Sequence, residues 1–476
     1  MALDSTHPLY STFLTDWKMC RDSYRGERIV KNAGQLYLPA TSGMVADGMN
    51  TEQGLGYQAY QAYKERAVFH DYVKQAVETM IGMMWAKPPT IELPPQLEDM
   101  RDSATTKNES LNQLLRRINE QQLVAGRCGI LLDLPTTPNP EQPLPYIAMY
   151  NAEHIINWDD GLRDEVVVDS LNMVVLDESE YVRNADFEWE FEDKFRVLLL
   201  GETLENEASG DYSVGVFDED TTNFNENAMI TPSIRGNTLQ EIPFVFVNSK
   251  DIVATPDDPP LLGLARLGMA IYRGEADYRQ SLFLQGQDTL VVVGAGEDNF
   301  RVGAGASLTL PQGGDAKFIG VSSDGLGEQR QALENDKMQA SNKSGELVDT
   351  RSREKESGDA LRTRSAAQTA TLNQIALAGA EGLQTLLRKA AVWVGANPDE
   401  VVVTPNLDFA NQEMTGKALM ELMTAKTLGA PLSSQSIHRT MQNKDMTELD
   451  YEEELALIDE EAPIGLQEPE EENEEI

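Results

Sequence analysis

LGEQRQALENDKMQASNKSGEL, residues 326–347, is polar almost all round, yet Leu326, Leu333, Ala340 and Leu347 recur at every seventh position. A stripe that narrow cannot hold a helix against a globular core, which needs three or four apolar residues per two turns. It suits packing beside one other helix, in the same chain or in a neighbouring copy. Just before it, residues 286–325 are rich in Gly and β-branched groups, including TLVVVGAGEDNF (289–300) and ASLTLPQGG (306–314), and read as short strands. Before those, a helix from about Leu261 to Leu284 carries Leu264, Leu267, Ile271, Tyr278 and Leu282 on one side. Helix, small β module, helix predicts a projecting stalk with a tip.

On the C-terminal side comes RSREKESGDALRTR, residues 351–364, where five basic residues face only Glu354, Glu356 and Asp359. Ser357-Gly358-Asp359 offers a break and an N-cap for a helix from Ala360 to about Val394, ended by Gly395, Asn397 and Pro398. Its middle, AAQTATLNQIALAGAEG, has small side chains that allow close approach, in lateral packing or in an internal core. A strand at Val401 to Thr404 follows, then helices from Met414 to Leu428, behind Ser433 or Ser434, and a last one that Thr447 caps, with Tyr451, Leu455 and Ile458 on one face. From Met446 to Ile476 there are 14 acidic and no basic residues, and 462–476 read as a disordered acidic tail.

Toward the N-terminus, residues 57–85 have helical spacing at Tyr60, Tyr63, Ala67, Val68, Val77, Ile81 and Met84, stopped by Lys87-Pro88-Pro89. A second helical pattern, Leu111 to about Ala125, meets a strand at Cys128 to Leu134. Strands are expected at Tyr146–Tyr150, Glu165–Leu176, Glu188–Leu200, Tyr212–Phe217 and Ile242–Val247, so the first 250 residues form one α+β unit bounded by Asp257-Asp-Pro-Pro260.

The totals narrow the function. A length of 476 residues fits about three domains, and 41% apolar residues can bury real cores. With 79 acidic against 39 basic residues and a formal net charge of −40, the chain argues against a conventional DNA-binding domain, which needs Lys and Arg to displace phosphate counterions. No basic n-region with an apolar run and no stretch of 18 apolar residues occurs, so neither secretion nor membrane spanning is indicated, and a cytoplasmic origin is expected. Cys20 and Cys128 are too few for a disulfide framework or a four-thiolate zinc site and read as buried small hydrophobes.

Catalytic signatures are weak. Gly294-Ala-Gly296 follows a strand, but Asn299 takes the third glycine position and no helix opens after it, so a turn between two strands is the preferred reading. No Gly-Lys-Ser/Thr ends a Gly-rich loop. His7, His70, His154 and His438 lie far apart without ligand neighbours at helical spacing and read as structural or exposed. Asp159-Asp160-Gly161 reads as a turn after a strand at His154–Trp158. We expect no catalytic residue, metal or cofactor, and no enzyme.

Several scattered groups then fall into an order: Trp17, Arg21-Asp22, Gly26, Lys31, Gly34 and Tyr37-Leu38-Pro39; Tyr60, Tyr63, Arg66-Ala67, Phe69, Gly82 and Lys87-Pro88-Pro89; Gly126-Arg127 and Ile130-Leu-Leu-Asp133. Later come Leu261-Leu262, Tyr272, Ala276-Asp277-Tyr278, Gly286-Gln287, Glu356-Ser357-Gly358 and Ala360-Leu361. This order, through most of the chain, resembles the portal proteins of tailed bacteriophages. Where that family has Pro in the strand after the stem helix, this chain has Asp288-Thr289.

The resemblance implies an α+β portal-type fold: a wing at 1–255, a first stem helix at 256–285, a clip at 286–325, a second stem helix at 326–345 and a tunnel loop at 346–358. A long helix returning to the wing (359–404) and a crown with the acidic C-terminal tail (405–476) complete it. It further implies a ring, usually of twelve subunits, at one capsid vertex of a virion. Its channel would pass double-stranded DNA, and its partners would be the terminase large subunit, a head-tail adaptor, and the major capsid and scaffold proteins, with no membrane. Stem packing would fall to Leu326, Leu333 and Leu347. Arg351, Arg353 and Lys355 would sit on the tunnel loop, touching phosphates or pairing with acidic groups of the adjacent subunit. The alternatives are an acidic scaffold or internal virion protein without a channel, which leaves the stalk unexplained, and an enzyme using paired carboxylates and a metal, for which no tight acid or His cluster stands out.

Overall fold

A computed structural model describes residues 3–135, 145–160, 171–201, 210–218, 224–225, 228–234, 236–286, 289–293, 312–319, 325–345, 358–407, 409, 416–442, 447 and 449–460. The chain is mixed α and β and divides into two compact units, Met1–Leu407 and Asp408–Ile476.

The first unit begins with α1 (Pro8–Arg25), α2 (Glu27–Asn32), α3 (Ser42–Ala46), α4 (Leu55–Arg66) and α5 (Tyr72–Met84), then β1 (Thr90–Glu92). The imidazole of His7, stacked on Trp158 with ring centroids 4.0 Å apart, caps α1 by accepting from the Leu9 N–H at 3.2 Å. The single helix expected across 57–85 is two helices. Ala67 turns extended, with φ −64° and ψ 143°, and the break buries both Ala67 and Phe69. No helix breaker marks the site; tertiary burial of Phe69 overrides the local helical pattern.

Next come α6 (Leu111–Ala125), β2 (Arg127–Asp133), β3 (Tyr146–Asn151), β4 (Ile155–Asp159), β5 (Met173–Asp177), β6 (Glu180–Arg183), β7 (Trp189–Glu192), β8 (Lys194–Leu200), β9 (Tyr212–Asp218) and β10 (Phe244–Asn248). A capping box between Ser110 and Gln113 starts α6. All pairings are antiparallel, in the orders β10-β2-β3, β4-β5-β8-β9 and β6-β7. The strand expected over Glu188–Leu200 is two, because the Lys194 N–H bonds the Ser179 hydroxyl at 3.1 Å and interrupts the ladder there. Residues 165–170 of the expected Glu165–Leu176 strand lie outside the described residues.

α7 (Leu262–Gln285), β11 (Thr289–Val293), β12 (Asp315–Ile319), α8 (Leu326–Gly345), α9 (Gly358–Val394) and β13 (Val402–Thr404) complete the unit. The small residues of α9 serve an internal core. A Cβ on Gly379 would come within 2.5 Å of the Asn119 amide, and one on Gly382 within 2.5 Å of Val247, so α9 lies directly on α6 and β10. Leu383, Leu386, Leu387, Ala390 and Trp393 join Leu114, Ile118, Ile130, Leu132, Val174 and Leu198 in one apolar core. β13 closes the unit by pairing with β1.

The second unit holds α10 (Gly416–Thr427), α11 (Ser434–Gln442) and α12 (Tyr451–Glu460). The Ser433 hydroxyl accepts from the Ser436 N–H at 3.0 Å and caps α11. Thr447 does not cap α12: Asp450 directly precedes that helix, and the Thr447 hydroxyl is spent on Glu454 at 2.9 Å.

Candidate functional site

The expected order of helix, small β module and helix is present as α7, the β11–β12 ladder and α8. At 24 and 20 residues, the helices span about 36 and 30 Å. β11 and β12 pair antiparallel from Thr289↔Ile319 to Val293↔Asp315. Val291–Val293 belong to an antiparallel ladder, while the expected turn at Gly294–Gly296 lies, with the rest of 294–311, outside the described residues.

α8 packs against α7 and α5. Of the seven-residue stripe, Leu326 is half-buried, and Leu333 and Ala340 are buried. Leu333 lies over Gly274 of α7, where an added Cβ would sit 3.4 Å from its Cδ1. Leu347, and Arg351, Arg353 and Lys355, which the resemblance places on a tunnel loop, lie outside the described residues. Near the C-terminal end of α7, Leu282, Phe283 and Leu284 are three consecutive exposed apolar residues.

The root of the stalk gathers residues distant in sequence. Tyr63 donates to Asp277 at 2.6 Å, Arg66 donates to Gln280 at 2.5 Å, and the Arg66 guanidinium lies 4.1 Å from the Phe283 ring centroid. Phe69 meets Tyr272 edge-on, and Tyr60, Tyr63, Ala67, Phe69, Tyr272 and Ala276 share one buried cluster with Tyr37 and Leu38. Tyr37, Leu38, Tyr60, Tyr63, Arg66, Ala67, Phe69, Tyr272, Ala276 and Asp277, far apart in sequence, thus converge on one junction.

Beside that cluster the Glu275 carboxylate is almost fully buried and receives Arg279 at 2.6 Å and Lys337 of α8, with His70 at 3.6 Å. Burial raises its pKa, but hydrogen bonds and charge from Lys337 and Arg279 outweigh this and hold it below the usual carboxylate value. Sequence reading missed Glu275, although a signal existed. It sits four residues after Ile271 on the apolar stripe of α7, where a carboxylate needs a cation.

Carboxylates also approach one another at Asp133 and Glu178. Both are bound to Arg196, at 2.7 and 2.8 Å, with Tyr146 and Tyr150 donating to them. They tie β2 and β3 to β8. The thiols of Cys20 and Cys128 are buried, which pushes each up to about 12. Among the described residues no three His, Cys, Asp or Glu side chains gather as metal ligands, and no helix is long and apolar enough to cross a membrane.

Residues 260–394, spanning α7 to α9, match a family described as "Domain of unknown function (DUF4055)". No curated protein matches the chain. Among solved structures, "Neck of native GTA particle computed with C12 symmetry" is 13% identical, covers 78% of this chain and 89% of its own, and superposes with a TM-score of 0.37. "Neck of empty GTA particle computed with C6 symmetry" is also 13% identical, with 79% and 90% coverage and a TM-score of 0.39.

Proposed function

We propose that this chain is a portal protein: a subunit of a ring at one capsid vertex, through which a double-stranded genome enters and leaves. The observation that carries this reading is the stalk, two helices joined by a β ladder and locked at the root by Tyr63–Asp277 and by Glu275 with Lys337. A stalk clamped at one end and apolar at Leu282–Leu284 suits contact with a neighbouring copy. In such a ring a largely acidic lining keeps DNA from adhering, since repulsion reaches about 8 Å at physiological salt. Terminase, a head-tail adaptor, and capsid and scaffold proteins are the partners this reading requires; it requires no cofactor and no catalytic step.

Electron microscopy of the purified protein, with its mass measured in solution, tests the reading. Rings with a central hole and a mass near a dozen chains of 52.7 kDa are expected. A compact dimer or tetramer without a hole would overturn it. On the tunnel loop, Arg351, Arg353 and Lys355 hold the duplex through phosphate contacts. Replacing all three with Ala should leave rings intact and impair DNA retention; heads that fill and retain DNA normally would remove this role.

A further inference from the structure

The central strands β5 and β8 do not stop where their neighbours do. The β4 pairing ends at Leu176 and the β9 pairing at Lys194, yet the chain continues outward as β6 and β7, joined through the Glu178 N–H to the Lys194 carbonyl at 2.8 Å. The result is a two-stranded ribbon whose outer edges pair with no other strand among the described residues. Its cross-strand partners are Glu180↔Glu192, Tyr181↔Phe191, Val182↔Glu190 and Arg183↔Trp189. Because side chains alternate in a strand, Tyr181, Phe191, Trp189 and Arg183 share one face, and Glu180, Glu192, Glu190 and Val182 share the other.

Neither face is satisfied by the chain itself. Tyr181 is 66% exposed, Trp189 66%, Phe191 51% and the tip residue Phe187 75%. On the opposite face Glu180 and Glu192 stand directly across from each other, an arrangement that destabilises a strand pair. The turn is nonetheless well built: Asn184 accepts from the N–H groups of Asp186 and Glu188, and its side chain donates to Glu190 at 2.8 Å. Phe187 is held at φ +66°, a left-handed conformation costly for a bulky residue and one found where structure presents a side chain for use. An isolated two-stranded ribbon is marginal in water.

We propose that the β6–β7 ribbon is a docking arm for another protein, which adds a strand of alternating apolar and basic residues to its edge. The complementarity follows from register. In an added strand, every second side chain falls beside the aromatic face and the intervening ones beside the glutamates, so Lys or Arg at those positions relieves the Glu180–Glu192 opposition. Arg183, 4.9 Å from the Phe187 ring centroid, already shows a cation on these aromatics. A second copy of the ribbon is the wrong partner, because it brings its own carboxylates to the same edge.

The test uses the full chain and two labelled octapeptides of identical composition, one alternating Arg and Val, the other with its four Arg in a block. Fluorescence anisotropy is read at about 0.15 M salt, where diffuse attraction to an acidic protein is largely screened. The alternating peptide should bind at least about tenfold more tightly than the blocked one. That preference should vanish in Y181S/W189S/F191S, which leaves the charge unchanged, and in E180Q/E190Q/E192Q. F187G relaxes the strained turn, so weaker binding in that variant cannot be ascribed to misfolding. Equal affinity for both peptides overturns the proposal. So does aromatic loss that alters the protein's own oligomeric mass while leaving peptide binding intact, since the occupant is then a second copy. The mass of the wild-type protein reports separately on the ring.

Discussion

A buried carboxylate is tolerated only where cations meet it, and Glu275 is placed so that two helices must be present for this to happen. Arg279 comes from its own helix, one turn on, but Lys337 comes from α8. Glu275→Gln should therefore loosen α8 from α7, at a cost of about 1–2 kcal/mol, less than for a fully buried pair because both cations are partly solvated. Since the folded-state pKa is depressed, this contribution is present above the unfolded value of about 4.5 and is lost as pH falls through the folded one. Denaturant unfolding at neutral pH and at pH 4, wild type against E275Q, checks it: the gap between the two proteins should narrow in acid. Arg127 shows the opposite solution. It is fully buried, lies against the rings of Trp158 and Phe246, donates to the Ala254 carbonyl at 3.0 Å and forms no ion pair among the described residues, and burial lowers its pKa to about 9.

At the level of elements, the stalk was legible because its signals are local. Gly-rich strands interrupt two helical patterns, and Leu326, Leu333 and Ala340 repeat at a spacing that fits one helical neighbour. The main neighbour proves to be α7 of the same chain, with α5 a second. Leu333→Ala should cost about 2–4 kcal/mol as a cavity opens over Gly274. Gly274→Ala should instead stabilise by about 0.5–1 kcal/mol, because the helix gains rigidity and the new methyl just reaches Leu333. Gly274→Leu should destabilise by overpacking. Protection of 262–285 from hydrogen exchange would order the three variants, and a stabilised Gly274→Leu would contradict the helix contact. The break between α4 and α5 was not legible, since AVFHD contains no breaker and the burial that rewards turning Phe69 inward involves distant residues such as Tyr272. Nor was the β6–β7 ribbon, because its alternation of aromatic and acidic residues continues into β8 and the kink depends on a hydroxyl, Ser179, fifteen residues away.

For the whole molecule, the formal charge of −40 opposes any assembly that gathers copies around an axis. The screening length falls from about 30 Å at 0.01 M salt to about 8 Å at 0.15 M. If apolar contacts such as Leu282–Leu284 drive assembly against that repulsion, the ring fraction should rise with salt over this range and then level off. Sedimentation at fixed protein concentration measures it directly. The opposite trend, rings dissolving as salt is added, would mean that attraction between unlike charges across subunits holds the assembly. Arg351, Arg353 and Lys355 would then be its first candidates, because in so acidic a chain every neighbouring surface offers them carboxylates. The triple Ala variant separates the cases: rings that keep their salt profile leave those three side chains free for DNA, and rings that fail at every salt concentration assign them to the subunit interface.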